Sequence, residues 1–195
     1  MARIAILYDS AAGQTAKIAG KFAEIATAAA HSVEFRAIES LPPDFRLESF
    51  QSVILGAAIH MGKHSRRMTE FVEQNRLLLE AIPSAFFSVS LSAAGKMESQ
   101  RHNARDCLDQ FLRQTHWQPR ATAIFAGALL YRSYGFWLRL MMKWIAWREG
   151  GDTDTSKDYE YTDWNQVSAF AEEVLHQSFG VGSAEQQKVV APSIR

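Results

Sequence analysis

The sequence predicts a doubly wound α/β protein built on a five-stranded parallel sheet. Three observations carry that prediction. Five short apolar runs recur along the chain, amphipathic segments at helical spacing lie between them, and most of the runs are apolar on consecutive rather than alternate residues. A strand that is apolar on both faces must be covered on both, which is what helices crossing over between parallel strands supply. Right-handed crossovers then leave few topologies.

Residues 4–8 form the first run, and residues 15–30 follow with Ile18, Phe22, Ile25 and Ala26 at helical spacing. Residues 32–38 alternate Val33, Phe35 and Ala37 before Pro42 and Pro43 close the segment. The third and fourth strands, at 52–57 and 84–91, flank a helix over 65–80 that presents Met68, Phe71, Val72 and Leu78. A helix over 102–115 carries Cys107, Leu108, Phe111 and Leu112 on one stripe, which places Cys107 in the core. Pro119 bounds a fifth strand at 121–128. Residues 129–161 are too many for a simple β-to-α connection and read as an insertion. The last helix begins at Asp163, with Val167, Phe170, Ala171, Val174 and Leu175 on its stripe and Thr162 or Asp163 as N-cap. One domain over 1–179, followed by a frayed tail over 180–195, is therefore expected.

A chain of 195 residues, 47% hydrophobic, suits one globular domain. Lys plus Arg equals Asp plus Glu at 21 each, so no global field draws the molecule onto nucleic acid. The single cysteine permits no internal disulfide, and the opening residues lead directly into a strand; a reducing, cytosol-facing location without a signal peptide is expected. No uncharged apolar run is long enough to span a bilayer. The six histidines form no metal-ligand motif, and neither a Ser-His-Asp set nor a paired carboxylate site stands out.

The turn after the first strand reads Ser10, Ala11, Ala12, Gly13, Gln14, Thr15. Small residues there let a phosphate approach the unpaired amides at a helix start, with the hydroxyls of Ser10 and Thr15 as further donors. The turn lacks the lysine of a Walker A loop and the glycine triplet of a dinucleotide fingerprint, which points to a mononucleotide. The turn alone is equally compatible with Ser10 or Thr15 simply capping the helix.

With five alternating strands behind it, Ser10-x-x-Gly13-x-Thr15 resembles the FMN-phosphate loop of flavodoxins, whose strand order is 2-1-3-4-5. Ala12 departs from that pattern, since the family usually has a hydroxyl residue there; one side-chain donor is lost and the backbone cradle is kept. The resemblance implies a ring site in the loops beyond the third and fourth strands. These supply Ala57, Ala58, Ile59, His60, Met61 and Gly62, and Ser88, Val89, Ser90, Leu91 and Ser92. The resemblance then narrows. The runs 55–64, 83–91, 126–131 and 150–155 through Trp164 occur in order and look like the flavodoxin-type, quinone-dependent protoporphyrinogen IX dehydrogenases of bacterial haem synthesis, the HemG type. That implies FMN, protoporphyrinogen IX as substrate and a membrane quinone as acceptor, menaquinone or ubiquinone. A soluble electron-carrier flavodoxin, an NAD(P)H:quinone reductase and a flavin-free interaction protein are the rival readings.

Residues 56–67 hold Lys63, Arg66 and Arg67 with His60 and His64 and no carboxylate, unlike the acidic flavin rim of electron carriers. A neutral-to-basic rim favours two-electron reduction of a flavin and offers cations to a porphyrinogen's carboxylates. The same cations also suit a solvated first turn of helix, above all Arg67. His60 is the one ring in its loop, so one flavin face is expected to be open unless Tyr131, Tyr134 or Trp137 folds over it.

Residues 120–148 hold five cations and no Asp or Glu. On an amphipathic helix over 136–148, Arg139 and Lys143 share one face, and Trp137, Leu140, Met141, Trp144 and Ile145 take the other. Tryptophan beside basic residues suits an anionic membrane surface, here the cytoplasmic face of the bacterial inner membrane. Packing on the sheet, or on a second subunit in a homo-oligomer, is the alternative. Lys96, Arg132, Arg139 and Lys143 are candidate cations for the substrate's propionates, while Asp152 and Asp154 read as a polar turn after Gly150 and Gly151.

Overall fold

A computed structural model describes residues 1–10, 12–94, 98–129 and 157–179. Five parallel strands form the central sheet: β1 (Arg3–Asp9), β2 (Ser32–Ala37), β3 (Ser52–Ala58), β4 (Ser84–Ser90) and β5 (Ala121–Ala126), in the order β2-β1-β3-β4-β5. The expected order is thus the observed one. Helices α1 (Gln14–Ala28), α2 (Arg66–Ala81), α3 (Glu98–Thr115) and α4 (Trp164–Phe179) cover its faces.

The inner strands β1, β3 and β4 bury both faces because consecutive residues are apolar and point opposite ways. Ile4, Ile6, Ile54, Phe87 and Phe125 meet Phe22 of α1 and Val167 of α4 on one side. Ala5, Leu7, Val53, Leu55 and Phe86 meet Met68 and Val72 of α2 and Phe111 of α3 on the other. Trp117, 1% exposed, closes the second layer with its ring edge against Phe86.

Two expectations are corrected. Helix α3 starts at Glu98, one turn before the expected residue 102, because Glu98 and Gln100 are good helix formers and the turn has no apolar residue to mark it. The fifth strand ends at Ala126. After Gly127 the chain turns into β6 (Ala128–Leu129), which pairs antiparallel with β7 (Tyr159–Glu160). These two-residue strands are too short to leave a periodic signature. Of the two expected cap candidates of α4, Asp163 takes the role: its Oδ1 accepts the N–H groups of Asn165 and Gln166 at 2.9 and 3.2 Å, and Thr162 is turned inward. The expected helix over 136–148 and the tail over 180–195 lie outside the described residues.

Candidate functional site

The carboxyl ends of β1, β3 and β4 and the start of α1 and α3 surround a cleft of about 820 Å³, within the range of small-ligand sites. Its first wall is the turn into α1. Ser10 Oγ accepts the Gly13 N–H at 3.1 Å, and Gly13 takes the N-cap position with φ of 93°. A Cβ at Gly13 would meet nothing within 4 Å, so the backbone angle and not space demands glycine. The Gly13 carbonyl accepts the Lys17 N–H at 3.0 Å, while no side chain caps the helix. The expected alternative of a Ser10 or Thr15 cap is thereby overturned. The amides of Gln14, Thr15 and Ala16 lack intrahelical partners at the positive end of the helix dipole.

Gln14 and Thr15 are buried behind this turn, and both line the cleft. Gln14 Nε2 donates to Thr162 Oγ1 at 2.8 Å, and the Thr162 hydroxyl donates to the Ala126 carbonyl at 2.7 Å. The return from β7 thus ties the start of α1 to the end of β5, helped by the Lys17–Glu160 ion pair at 3.3 Å. Gln14 Oε1 is left buried without a partner among the described residues. Thr162 has no local signal in the sequence, because its role depends on a partner 148 residues away.

The second wall is a hairpin turn. His60 and Lys63 exchange N–H···O bonds of 2.9 and 3.2 Å around Met61 and Gly62, whose φ values of 50° and 78° make a type I′ turn. The Ile59 N–H donates to the Val89 carbonyl at 2.8 Å, and Met61 stands fully exposed at the tip. Cys107 is not core. It lines the cleft, and its thiol donates to the Gly62 carbonyl at 3.0 Å, fastening the turn to α3. Burial first and Asp106 second push the thiol's pKa up, which keeps it a donor.

The third wall runs from Val89 to Ser92, where Ser90 Oγ accepts the Ser92 N–H at 3.2 Å. Gly127, Ala128 and the α3 residues Asn103, Ala104 and Asp106 complete the lining. Of the expected site residues, Ser10, Ala12, Gln14, Thr15, Ala58, Ile59, His60, Met61, Gly62, Val89, Ser90, Leu91 and Ser92 come together here. Ala57 and Ser88 do not line the cleft: both are buried in the sheet behind it. Ala11, Lys96, Arg132, Trp137, Arg139, Lys143 and Trp144 lie outside the described residues.

The basic rim expected over 56–67 is largely neutralised. His64 is 6% exposed, its Nε2 is 2.8 Å from Ser88 Oγ, and burial pushes its pKa down to about 4, so it is uncharged at neutral pH. Arg66 pairs with Glu70 at 2.6 Å, and Arg67 with Glu39 at 2.8 Å and Asp9 at 3.3 Å. Asp106 is nevertheless the one carboxylate among the described lining residues. His60 supplies the one ring among them, as the loop sequence predicted. No group of described side chains is arranged to hold a metal ion.

The residues fit a flavin mononucleotide by their chemistry. Amides at a helix start without a side-chain cap and a left-handed glycine suit a phosphate monoester, and Gln14 Oε1, without a partner among the described residues, is an acceptor suited to a hydroxyl donor, as on a ribityl chain. Comparison with known proteins agrees. The model of the flavodoxin-domain family matches residues 5–156. A short-chain flavodoxin associated with a bacterial microcompartment superposes with a TM-score of 0.56 at 12% identity, covering 91% of this chain and 99% of that one. Oxidised flavodoxin 1 from Bacillus cereus gives 0.53 at 15% identity, over 89% and 97% of the two chains. These two show the fold.

The protoporphyrinogen IX dehydrogenase (quinone) of Escherichia coli K12 is 34% identical over 171 residues, 88% of this chain and 93% of that protein. The protein of the same description from Leishmania major is 39% identical over 125 residues, 64% of this chain and 54% of its own length. The chain belongs to the flavodoxin-domain family and, within it, to the group of the quinone-type protoporphyrinogen IX dehydrogenases. That membership implies a flavin. No helix among the described residues is long and apolar enough to cross a membrane.

Proposed function

We propose that this chain binds FMN in the cleft, oxidises protoporphyrinogen IX to protoporphyrin IX in haem biosynthesis, and delivers the electrons to a membrane quinone. The observation that carries the reading is the uncapped, glycine-turned start of α1 opening on a cleft with one ring and one carboxylate among its described lining residues. Kinship to the dehydrogenases over 88% of the chain supports it.

The amides of Gln14 and Thr15, with the Ser10 hydroxyl, hold the phosphate. The I′ turn at Met61 and Gly62 and the strip from Ser90 to Ser92 grip the ring edges, and Val89 and Ala128 give it an apolar floor that excludes water. The chemistry such a flavin supplies is reversible two-electron transfer between an organic donor and a quinone. One ring and one carboxylate among the described lining residues leave a face for a broad apolar macrocycle and do little to oppose charge on a reduced flavin. The acid-free, tryptophan-rich sequence over 136–148 supports a contact with the cytoplasmic face of the inner membrane, where the quinone is dissolved.

The purified protein is expected to release one FMN per chain on denaturation and to generate porphyrin fluorescence from protoporphyrinogen only when quinone is added under nitrogen. Gly13→Glu puts a carboxylate at the phosphate position and should yield a folded, colourless, inactive protein. Full flavin content and turnover in that variant would remove the phosphate from this turn.

A further inference from the structure

We propose that Arg101 and Arg105 form a carboxylate-binding groove beside the cleft that takes the two propionates of the tetrapyrrole. The inference rests on the functional reading above and adds to it the residues that recognise the substrate's charged edge. A groove of about 560 Å³ lies across the 3-10 turn Leu91–Ala94 from the flavin cleft. The two share their walls. Leu91 and Ser92 face the cleft, and Ala93 and Ala94 face the groove. On α3, Asn103, Ala104 and Cys107 line the cleft, whereas Arg101, His102 and Arg105 line the groove. A macrocycle broad enough to cover a flavin therefore projects its rim toward the groove.

Arg101 and Arg105 are four apart on α3, which sets their side chains on one face with Cβ atoms about 5–6 Å apart. Both are exposed, and neither has an ion-pair partner among the described residues. This sets them apart from the other arginines near the cleft, Arg66 and Arg67, whose charges are taken up by Glu70, Glu39 and Asp9. Two carboxylates also line the groove, Glu98 and Asp163. Asp163 is engaged by the amides at the start of α4, and Glu98 forms no ion pair with either arginine. The propionates of protoporphyrinogen leave one edge of the ring, while methyl and vinyl groups occupy the rest. Two parallel guanidinium forks accept such a pair of carboxylates bidentately, which single lysines do less well. The apolar remainder of the groove, Ile124 and Ala126 at the end of β5, suits the pyrrole rim between them.

The test compares the diacid with its dimethyl ester. Wild type and the double variant R101Q/R105Q are titrated with protoporphyrin IX and with its dimethyl ester, and assayed for oxidation of the two corresponding porphyrinogens at fixed quinone. Removing two charge-assisted contacts is expected to weaken diacid binding and raise its KM about tenfold, with kcat and FMN content held within about twofold. The diester should bind both proteins alike, and R101K/R105K should recover part of the loss. Unchanged diacid affinity in R101Q/R105Q, or equal losses for diacid and diester, would overturn the groove. Charge-dependent diacid binding by a wild-type protein that oxidises neither porphyrinogen would uphold the groove and overturn the dehydrogenase reading instead.

Discussion

His64 shows how far burial changes what a residue type means. In the sequence it stands among cations, and in the fold it is a neutral ring wedged against Phe86 and Phe111, with centroids 5.3 and 4.7 Å away. Its pKa falls to about 4 from an ordinary 6.5, so as pH drops the unfolded chain takes up the proton first. Stability is therefore complete above about pH 6.5 and is lost progressively between pH 6.5 and 4, by at most about 3 kcal/mol from this group. Urea midpoints measured across that range should fall with pH in the wild type, and the fall should flatten in His64→Gln, which keeps a hydrogen-bonding side chain and does not titrate. Equal slopes in the two proteins would mean that folding leaves the histidine's pKa unchanged. Ser10, Gly13 and Thr15 were legible in the sequence because a helix start is a local event. His64, Cys107 and Thr162 were not, since what each does is decided by Ser88, Gly62 and Gln14, partners distant in the chain.

Among the elements, β3 and β4 show why the sheet holds its register beneath the cleft. Gly56 pairs directly with Phe87, and a Cβ at Gly56 would fall within the Phe87 ring. The ring lies across the bare glycine and stacks on Phe22 of α1 with centroids 5.1 Å apart, so one aromatic side chain couples two strands to the helix whose start lines the cleft. Gly56→Ala must displace that ring and should cost about 1–3 kcal/mol, read as a lower midpoint in chemical denaturation. A neutral effect would show that Phe87 has another place to go. Most strands were legible as apolar runs and β2 by its alternation of Val33, Phe35 and Ala37, and the helices because their stripes recur every three to four residues. Boundaries were less so: the first turn of α3 is polar throughout, and β6 and β7 are held only by each other.

At the scale of the whole molecule, the order β2-β1-β3-β4-β5 brings the start of α1 and the loops after β3 and β4 to one edge of the sheet, and the return through β7 locks them there. The membrane contact proposed for residues 136–148, which lie in sequence between β6 and β7, is open to a direct test. Replacing Trp137, Trp144 and Trp147 together with Ser should release the protein from anionic vesicles. The same change should preserve its FMN and slow turnover with a long-tailed quinone more than with a soluble acceptor. Vesicle binding that persists unaltered would assign the segment to packing or to a subunit contact. Whether the proposed flavin site oxidises a porphyrinogen is read from an anaerobic titration of the oxidised holoprotein with protoporphyrinogen IX. The substrate releases six electrons and each flavin accepts two, so the yellow absorbance should bleach fully at one third of an equivalent, porphyrin fluorescence should rise in step, and added quinone should restore the colour. Bound FMN that keeps its absorbance in the presence of protoporphyrinogen would contradict the account.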